Sequence, residues 1–357
     1  MLIILILALV TSFYLLSVLT DDYFVDSLLV IAKKLRLRPD VTGATLMAAG
    51  SSTPELFTAL IAVFRHNGVA DIGTGTIVGS AIFNVLVIIG LVALVNHKTL
   101  QWQPIVRDLI FYFLLLSILL FSFWDGKITL IEASIFVTLY VIYIFAVVNW
   151  KKWLHYRSHF HLKREARVGD VEGVVEKHPL AQAARWLLGL VVPDCEKHPK
   201  LYWLTFLMSI TLIGVLSYLL VESAMAIGGI LNIHPTIIAL TVLAAGTSVP
   251  DLLSSVFVAK RNQGDMAISN ALGSNIFNIS FGLGFPWLLI LLFQGKTVTV
   301  AVDNLMGASF LLFSSTVMVL VLLFARHWRL GKSTGAIMIA IYLGYLLWEI
   351  WRASSGL

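Results

Sequence analysis

The chain has 357 residues, of which 59% are hydrophobic and only 13% are charged, and its mean hydropathy is +0.90. Soluble domains carry about a quarter charged residues, so this composition excludes an ordinary water-soluble protein and indicates a membrane protein. The formal net charge of +5 does not indicate nucleic-acid binding, because the basic residues lie between apolar segments. The single cysteine, Cys195, excludes an internal disulfide.

Apolar segments of about 20 residues, the length that crosses a ~30 Å hydrocarbon core, recur along the chain. The opening segment has no basic flank and no cleavage site, so we interpret it as a membrane span rather than a signal peptide. The sequence therefore predicts an all-α membrane protein with ten transmembrane helices in the lipid bilayer. In chain order the predicted spans are 2–20, 41–64, 72–95, 105–123, 128–149, 201–221, 235–259, 266–293, 303–325 and 335–352.

Lys and Arg are distributed unevenly between the connections on the two sides. All 25 of these residues, except Arg65, Lys127, Lys296 and Arg352, lie in connections that share one side. Because cytoplasmic connections are enriched in Lys and Arg, we expect that side to be cytosolic and the location to be the cell membrane. Both termini are then outside. The polar segment 151–200 becomes a cytosolic connection, within which residues 181–192 can form a short helix on the membrane surface.

The sequence contains two copies of one unit. GATLMAAGSSTPEL at 43–56 matches ALTVLAAGTSVPDL at 239–252, with a constant offset of 196 residues. Further along, DIGTGTIVGSAIFN at 71–84 matches DMAISNALGSNIFN at 265–278. These matches indicate that the two halves of the chain share one fold.

Each half contains five predicted spans, so the second copy must enter the membrane from the opposite side. We divide the chain into a first half at 1–150, with its repeat at about 41–90, the connection 151–200, and a second half at 201–357, with its repeat at about 235–287. Inverted repeats of this kind recur in secondary transporters, where one bundle rocks against another around a midplane site.

Glu55 and Asp251 occupy equivalent positions in the two repeats, in the middle of the second and seventh spans. An ionisable residue at that depth is costly and is usually functional. The sequence offers no Lys or Arg at comparable depth, so we expect a bound cation to balance both acids. The alternative is that the acids are neutral or paired and hold helices together.

Each acid directly follows a proline, in SSTPE at 51–55 and TSVPD at 247–251. Because proline removes a backbone donor, we expect helices 2 and 7 to be broken near Gly50 and Gly246, at the midplane. The carbonyls of Ala48 and Ala244 can then face a cation. The other candidate ligands are polar residues that recur in both repeats, with close helix packing as the alternative role for the two amides: Ser51, Ser52, Ser80, Asn84, Thr247, Ser248, Ser274 and Asn278.

The candidate ligands are all oxygen atoms, which suit hard cations, and Ca²⁺ accepts a larger and more flexible shell than Mg²⁺. Two carboxylates balance one Ca²⁺ ion. The same oxygens can hold Na⁺ instead, and exclusive occupancy would give antiport, although these residues do not decide between Na⁺ and H⁺ as the driving ion. An intramembrane aspartyl protease usually carries a G-x-G-D motif, which the sequence lacks, and a cation channel normally uses subunit symmetry. We therefore expect no enzymatic activity and no cofactor beyond the transported ions.

At these motifs the chain resembles the Ca²⁺/cation antiporter superfamily, and most of all the K⁺-dependent Na⁺/Ca²⁺ exchangers, through GATLMAAGSSTPELFTALIAVF, GTIVGSAIFN and GDMAISNALGSNIFN. The resemblance implies that Glu55 and Asp251 are the central Ca²⁺ ligands, assisted by Ser51 and Thr247. It also implies that Asn84 lies at the floor of the site. The Na⁺ sites that it implies are built from Ala48, Ser52, Ser80, Ala244, Ser248 and Ser274.

One position departs from the K⁺-dependent branch, which typically has Asp at the end of the GSNIF motif, where this chain has Asn278. The loss of one carboxylate lowers the negative charge of the site by one. We therefore expect Na⁺/Ca²⁺ exchange by alternating access without a K⁺ requirement, for which a monomer is sufficient. A Ca²⁺/H⁺ antiporter of the same superfamily is the closest alternative, and the many hydroxyls around the acids favour Na⁺.

Overall fold

A computed structural model of the protein describes residues 1–36, 43–65, 70–95, 100–154, 179–195, 198–260, 264–295, 297–300 and 302–355. These residues are almost all helical. In the first half, the helical segments and the one strand are Leu2–Leu19, Thr20–Val25 (π), Asp26–Lys34, Gly43–Met47 (π), Ala48–Ser51, Thr53–Arg65, Asp71–Phe83, Asn84–Ile88 (π), Ile89–Val95, Trp102–Ser122, β1 at Lys127–Ile128, and Leu130–Leu154.

The connection contributes the helix Pro179–Gly189 and the 3₁₀ turn Pro199–Leu201. In the second half, the elements are Tyr202–Leu231, Pro235–Ile238, Ala239–Leu243 (π), Ala244–Thr247, Val249–Lys260, Gly264–Phe277, Asn278–Leu283 (π), Gly284–Phe293, β2 at Val298–Thr299, Val302–Ala325 and Lys332–Ser355.

In the part of the chain that the structure describes, helical segments form ten spans at the predicted places, which we number 1 to 10 in chain order. Among the described residues, eight spans are individually long and apolar enough to cross a membrane. Span 2 is a pair of helices bent by 54° between Ser51 and Thr53, and span 7 consists of shorter helices that are interrupted at Ser248. The predicted breaks in helices 2 and 7 are therefore present.

The helix of span 1 extends beyond the predicted span, which ends at residue 20. The helix continues through a π-helical segment, Thr20–Val25, and ends only at Lys34. Polar side chains alone do not end a helix when no glycine or proline interrupts the backbone. Here Thr20 and Ser27 are buried, so the polar stretch belongs to the packed part of the helix.

Backbone contacts divide the connections between two ends of the molecule. At one end, β1 after span 4 pairs antiparallel with β2 before span 9, and the Ala70 N–H donates to the Thr299 carbonyl at 3.0 Å. At the other end, the Leu100 N–H, just before span 4, donates to the Trp328 carbonyl, just before span 10, at 2.9 Å. Span 2 therefore ends at the β1–β2 side and span 7 at the opposite side, which is the inversion predicted from the repeat.

The buried side chains form two hydrophobic clusters. The smaller cluster is centred on spans 1 and 6, with Leu16, Leu19, Ile213 and Leu220 among its members. The larger cluster contains most of the remaining spans and includes Trp287 of span 8. The smaller cluster also includes Ala62, Ile72 and Leu243, so it joins spans 1 and 6 to parts of spans 2, 3 and 7.

The helix Pro179–Gly189 lies against span 1. The Arg185 guanidinium pairs with the Asp22 carboxylate at 2.8 Å, and the Tyr23 hydroxyl donates to the Arg185 carbonyl at 3.2 Å. Trp186 and Leu187 on the same helix are exposed. This confirms a short helix in the predicted stretch, while residues 155–178 of the connection lie outside the described ranges.

Spans 3 and 7 approach each other closely at Gly79. A Cβ atom at this position would overlap the backbone carbonyl of Leu240 and the side chain of Ala244. Glycine is therefore required for this contact, which brings the polar face of span 3 against the break in span 7.

Candidate cation-binding site

Glu55 and Asp251 are buried inside the bundle, with relative exposures of 0% and 1%. Each lies in the first turn of the helix that follows a break, at Thr53–Arg65 and Val249–Lys260. Proline near the start of each helix fits this position, because the first turn has backbone N–H groups without helical partners. The positive end of the helix dipole also stabilises a carboxylate there.

The breaks lie just beyond the predicted glycines. Ser52 (φ −93°, ψ 6°) and Ser248 (φ −85°, ψ 2°) leave the helical conformation. Their backbone N–H groups donate to the carbonyls of Ala48 and Ala244 at 3.2 and 3.3 Å. The same two carbonyls also accept from the Ser51 and Thr247 hydroxyls, at 3.3 and 3.4 Å. A cation would therefore have to displace a hydroxyl to bind either carbonyl.

Hydroxyls from opposite repeats meet in two pairs. Ser52 Oγ lies 2.5 Å from Ser274 Oγ, and Ser80 Oγ lies 2.7 Å from Ser248 Oγ. Each pair joins a broken span of one repeat to span 3 or span 8 of the other repeat. The two pairs therefore hold the broken segments of both repeats around a common interior.

Each acid is also contacted by a hydroxyl from its own repeat. Ser80 donates to Glu55 Oε1 at 3.4 Å, and Ser274 donates to Asp251 Oδ2 at 2.5 Å. In addition, the Thr247 hydroxyl faces Glu55 from the other repeat. The Ser80 and Thr247 hydroxyls are both neutral, so they leave the charge of Glu55 uncompensated.

The hydroxyl of Ser51, in the first repeat, likewise faces the carboxylate of Asp251, in the second repeat. Glu55 Oε2 is buried without a hydrogen-bond partner in the described part of the chain. A buried carboxylate oxygen without a donor is costly unless a cation binds it. The arrangement therefore suits a metal ion close to Glu55 Oε2.

The two amides, Asn84 and Asn278, are both fully buried but differ in their contacts. Asn84 Nδ2 donates to Asp251 Oδ2 at 3.4 Å and to Asn275 Oδ1 at 2.9 Å. Neither polar atom of the Asn278 side chain has a hydrogen-bond partner among the described residues. The repeat-related amides are thus equivalent in sequence but not in environment.

The structure gathers the predicted residues into two groups, one around each acid, and each group contains residues of both repeats. Asn278 is the one predicted residue that these contacts do not join. The first group is Glu55, Ser80, Thr247, Ser248 and Ala244, and the second is Asp251, Ser274, Ser51, Ser52, Ala48 and Asn84.

Sequence reasoning missed Asn275, which is fully buried and contacts Asn84 directly. Comparison of the repeats selects positions that match, and the residue equivalent to Asn275 in the first repeat is Ala81. A search for mismatches between the repeats could have found it, because Asn275 is a polar residue at a position where the first repeat has a small apolar one.

A buried ion pair in span 4 was likewise not predicted from the sequence. Arg107 and Asp108 are 5% and 0% exposed, and the Arg107 Nε and Nη2 atoms both lie 2.7 Å from Asp108 Oδ1. The Tyr143 hydroxyl of span 5 donates to the same oxygen at 3.0 Å. Arg107 is therefore part of the packed bundle rather than of a connection.

Two inverted repeats of membrane-spanning helices, which bury one carboxylate each at a helix break among hydroxyl and amide oxygens, define a secondary transporter for hard cations. The family model described as sodium/calcium exchanger protein matches residues 4–149 and 201–351 of the chain. The chain belongs to this family.

Curated relatives agree with this family, and a solved structure shares the fold. Sodium/potassium/calcium exchanger 5 of Homo sapiens is 31% identical, over 95% of this chain and 81% of that protein. Sodium/potassium/calcium exchanger 2 of Rattus norvegicus is 28% identical, over 96% of this chain and 77% of that protein. The structure of the sodium-calcium exchanger NCX_Mj soaked with 100 mM Na⁺ and 10 mM Sr²⁺ matches with a TM-score of 0.57 at 24% identity, over 96% of this chain and 97% of that chain. This likeness confirms the predicted fold.

Proposed function

We propose that this chain is a secondary antiporter that exchanges Ca²⁺ for Na⁺ across a membrane, with Glu55 and Asp251 as the central ligands. The observation that carries this proposal is that each inverted repeat buries one carboxylate, and that hydroxyls of both repeats surround each of them. Ions would therefore bind between the repeats, where a relative movement of the two can alternate access.

The charge of the site supports Ca²⁺ as the cargo. Glu55 and Asp251 are the two acids among the candidate ligands, so they supply the fixed negative charge of the site. One Ca²⁺ neutralises two carboxylates in an interior where uncompensated charge is costly. Carboxylate, hydroxyl and amide oxygens are also the ligands that Ca²⁺ accepts.

The hydroxyl pairs support Na⁺ as the counter-ion. Ser52 with Ser274 and Ser80 with Ser248 place neutral oxygens next to the acids, where a monovalent cation can bind without additional fixed charge. A proton bound to a carboxylate needs none of these oxygens. We assign the Na⁺ sites to these four serines and the carbonyls of Ala48 and Ala244.

The same charge argument supports transport without K⁺. With Asn278 in place of an acid, a K⁺ ion bound together with Ca²⁺ would leave one positive charge unbalanced in a buried site. The neutral Asn278 amide can still turn its oxygen towards a cation, because its polar atoms have no hydrogen-bond partner in the described structure.

The distribution of Lys and Arg supports an orientation in the cell membrane with both termini outside and the connection 151–200 in the cytosol. The β1–β2 end then faces outward. Transport by alternating access requires neither a catalytic residue nor a cofactor.

The test is uptake of radioactive Ca²⁺ by proteoliposomes loaded with Na⁺. Exchange predicts uptake that requires the outward Na⁺ gradient, persists without K⁺, and ends when a sodium ionophore dissipates the gradient. Uptake driven instead by a pH gradient would assign the chain to Ca²⁺/H⁺ antiport. Uptake that needs no counter-ion would indicate a channel and contradict the proposal.

A further inference from the structure

The Asn84 amide is held by side chains that lie outside the proposed ion ligands. Its Nδ2 atom donates to Asn275 Oδ1 at 2.9 Å. Asn275 Nδ2 in turn donates to the Ala81 carbonyl at 3.2 Å and to the Tyr112 hydroxyl at 3.1 Å. Asn275 and Tyr112 are both fully buried.

The chemistry of these groups fixes the direction of every bond. The Ala81 carbonyl can only accept, so Asn275 must face it with its NH₂ group and must present its oxygen to Asn84. Asn84 must then face Asn275 with its own NH₂ group. The same NH₂ group also lies 3.4 Å from Asp251 Oδ2. The remaining atom, Asn84 Oδ1, is buried without a hydrogen-bond partner in the described part of the chain.

Tyr112 connects this arrangement to the larger body of the protein. It belongs to span 4, and its hydroxyl also faces Thr316 of span 9. The Thr316 hydroxyl donates to the Leu312 carbonyl at 2.8 Å, so it can only accept from Tyr112. Tyr112 accepts from Asn275, because the Asn275 NH₂ group can only donate. We call Asn84, Asn275, Tyr112 and Thr316 the amide relay.

The other repeat has no such relay. The residue equivalent to Asn275 is Ala81, which has no side-chain amide, and Asn278 keeps both polar atoms without hydrogen bonds among the described residues. Hydrogen bonds thus fix the orientation of Asn84, whereas no hydrogen bond among the described residues fixes that of Asn278. The two repeats match at both amides, so the difference arises from their unlike neighbours, Asn275 near Asn84 and Ala81 at the equivalent position in the first repeat.

We propose that Asn275 and Tyr112 are positioning residues that hold the Asn84 oxygen towards the cation and thereby set the affinity of the site for Ca²⁺. The proposal rests on the function proposed above. Without the relay, the Asn84 carboxamide can rotate and present its partially positive NH₂ group to the ion. Preorganised ligands bind better because less ordering is needed when the ion arrives.

The test compares Tyr112→Phe, Asn275→Ala and the double variant with a matched control, Tyr345→Phe. Tyr345 also has a buried hydroxyl, but that hydroxyl has no hydrogen-bond partner among the described residues and lies in span 10. Ca²⁺ affinity is measured by titration calorimetry in detergent. Half-saturating Ca²⁺ concentration and maximal rate are measured in Na⁺-loaded proteoliposomes, and melting temperature reports stability.

Tyr112→Phe should raise both the dissociation constant and the half-saturating Ca²⁺ concentration by about fivefold, the effect of one neutral hydrogen bond, with little change in maximal rate. Tyr345→Phe should leave the affinity unchanged. The double variant should bind Ca²⁺ no more weakly than Asn275→Ala, because the two residues act through one amide.

Unchanged Ca²⁺ affinity in Tyr112→Phe, or an equal loss in Tyr345→Phe, would overturn the relay. So would a lower maximal rate at constant affinity, which indicates a structural role alone. If the wild-type protein binds Ca²⁺ but does not exchange it for Na⁺, the proposed function fails and calorimetry still decides the relay. If the wild-type protein binds no Ca²⁺, both proposals fail.

Discussion

The hydroxyl oxygens of Ser80 and Ser248 lie 2.7 Å apart, although 168 positions of sequence separate the two residues. Ser52 and Ser274 form the equivalent contact, in which the first repeat supplies the broken span and the second repeat supplies span 8. Any movement of one repeat relative to the other must therefore change the surroundings of both acids together. We therefore expect ion binding at the proposed site to depend on the relative position of the repeats.

The Ser80–Ser248 contact gives a prediction about Na⁺. Ser80→Ala and Ser248→Ala should each raise the half-saturating Na⁺ concentration by about fivefold, because each removes one neutral oxygen ligand. The measurement is Na⁺-dependent Ca²⁺ release from proteoliposomes across a series of Na⁺ concentrations. Because the two hydroxyls touch, the double variant should lose less than the product of the single effects. Fully independent effects would contradict a shared site.

Removal of either central charge should stop transport. Glu55→Gln and Asp251→Asn keep the shape of the side chain and should each lower Ca²⁺ uptake by about 100-fold, which corresponds to the loss of about 3 kcal/mol from a charged contact. Glu349→Gln is the matched control, because Glu349 is a buried acid of span 10 that does not belong to either ligand group. Melting temperatures verify folding, and substantial uptake by the Glu55→Gln/Asp251→Asn protein would show that the site is wrong.

Asn278 should decide the response to K⁺. The wild-type protein should transport Ca²⁺ equally well with K⁺ or choline on the Ca²⁺ side. Asn278→Asp adds a third carboxylate, which a monovalent cation can balance, so K⁺ should now stimulate Ca²⁺ uptake several-fold. Asn278→Ser, which is neutral, provides the control and should remain insensitive to K⁺. Wild-type flux that fails without K⁺ would refute the charge argument.

The ion pair in span 4 gives a prediction about stability. Arg107→Met leaves the Asp108 carboxylate buried without its charged partner and should destabilise the protein by about 3–5 kcal/mol. Arg107→Met/Asp108→Asn removes the charge mismatch and should recover part of this loss. Thermal unfolding in detergent measures both effects.

The matched control for that experiment is Arg185→Met. The Arg185–Asp22 pair is about one-quarter to one-third exposed, at 29% and 28%, so its loss should cost about 1 kcal/mol or less. If Arg107→Met and Arg185→Met lowered the melting temperature equally, burial would not be the reason for the importance of the span 4 pair.

The proposed orientation can be measured with single cysteines. In a Cys195→Ser background, Asp125→Cys lies at the β1–β2 end and Arg326→Cys at the opposite end, and both replaced side chains are exposed. A membrane-impermeant maleimide added to intact cells should label position 125 and not position 326. Labelling should reverse in inside-out vesicles. The opposite result would place the termini in the cytosol.

Much of the fold could be predicted because its signals are local in the sequence. A run of about 20 apolar residues specifies a membrane span wherever it occurs, since backbone groups in lipid must bond within the helix. The matching motifs around Glu55 and Asp251 give the inversion by counting the spans between them. The proline before each acid predicted the break, and the structure places that break at Ser52 and Ser248.

Tertiary structure alone decided which of these residues touch. The pairing of Ser52 with Ser274 and the chain from Asn84 through Asn275 to Tyr112 join helices that lie more than 160 positions apart in sequence. Hydropathy and repeat comparison describe one helix at a time and favour positions that match. Contacts between unlike positions, and the burial of Arg107 beside Asp108, depend on how helices pack, which is settled only when all ten are in place.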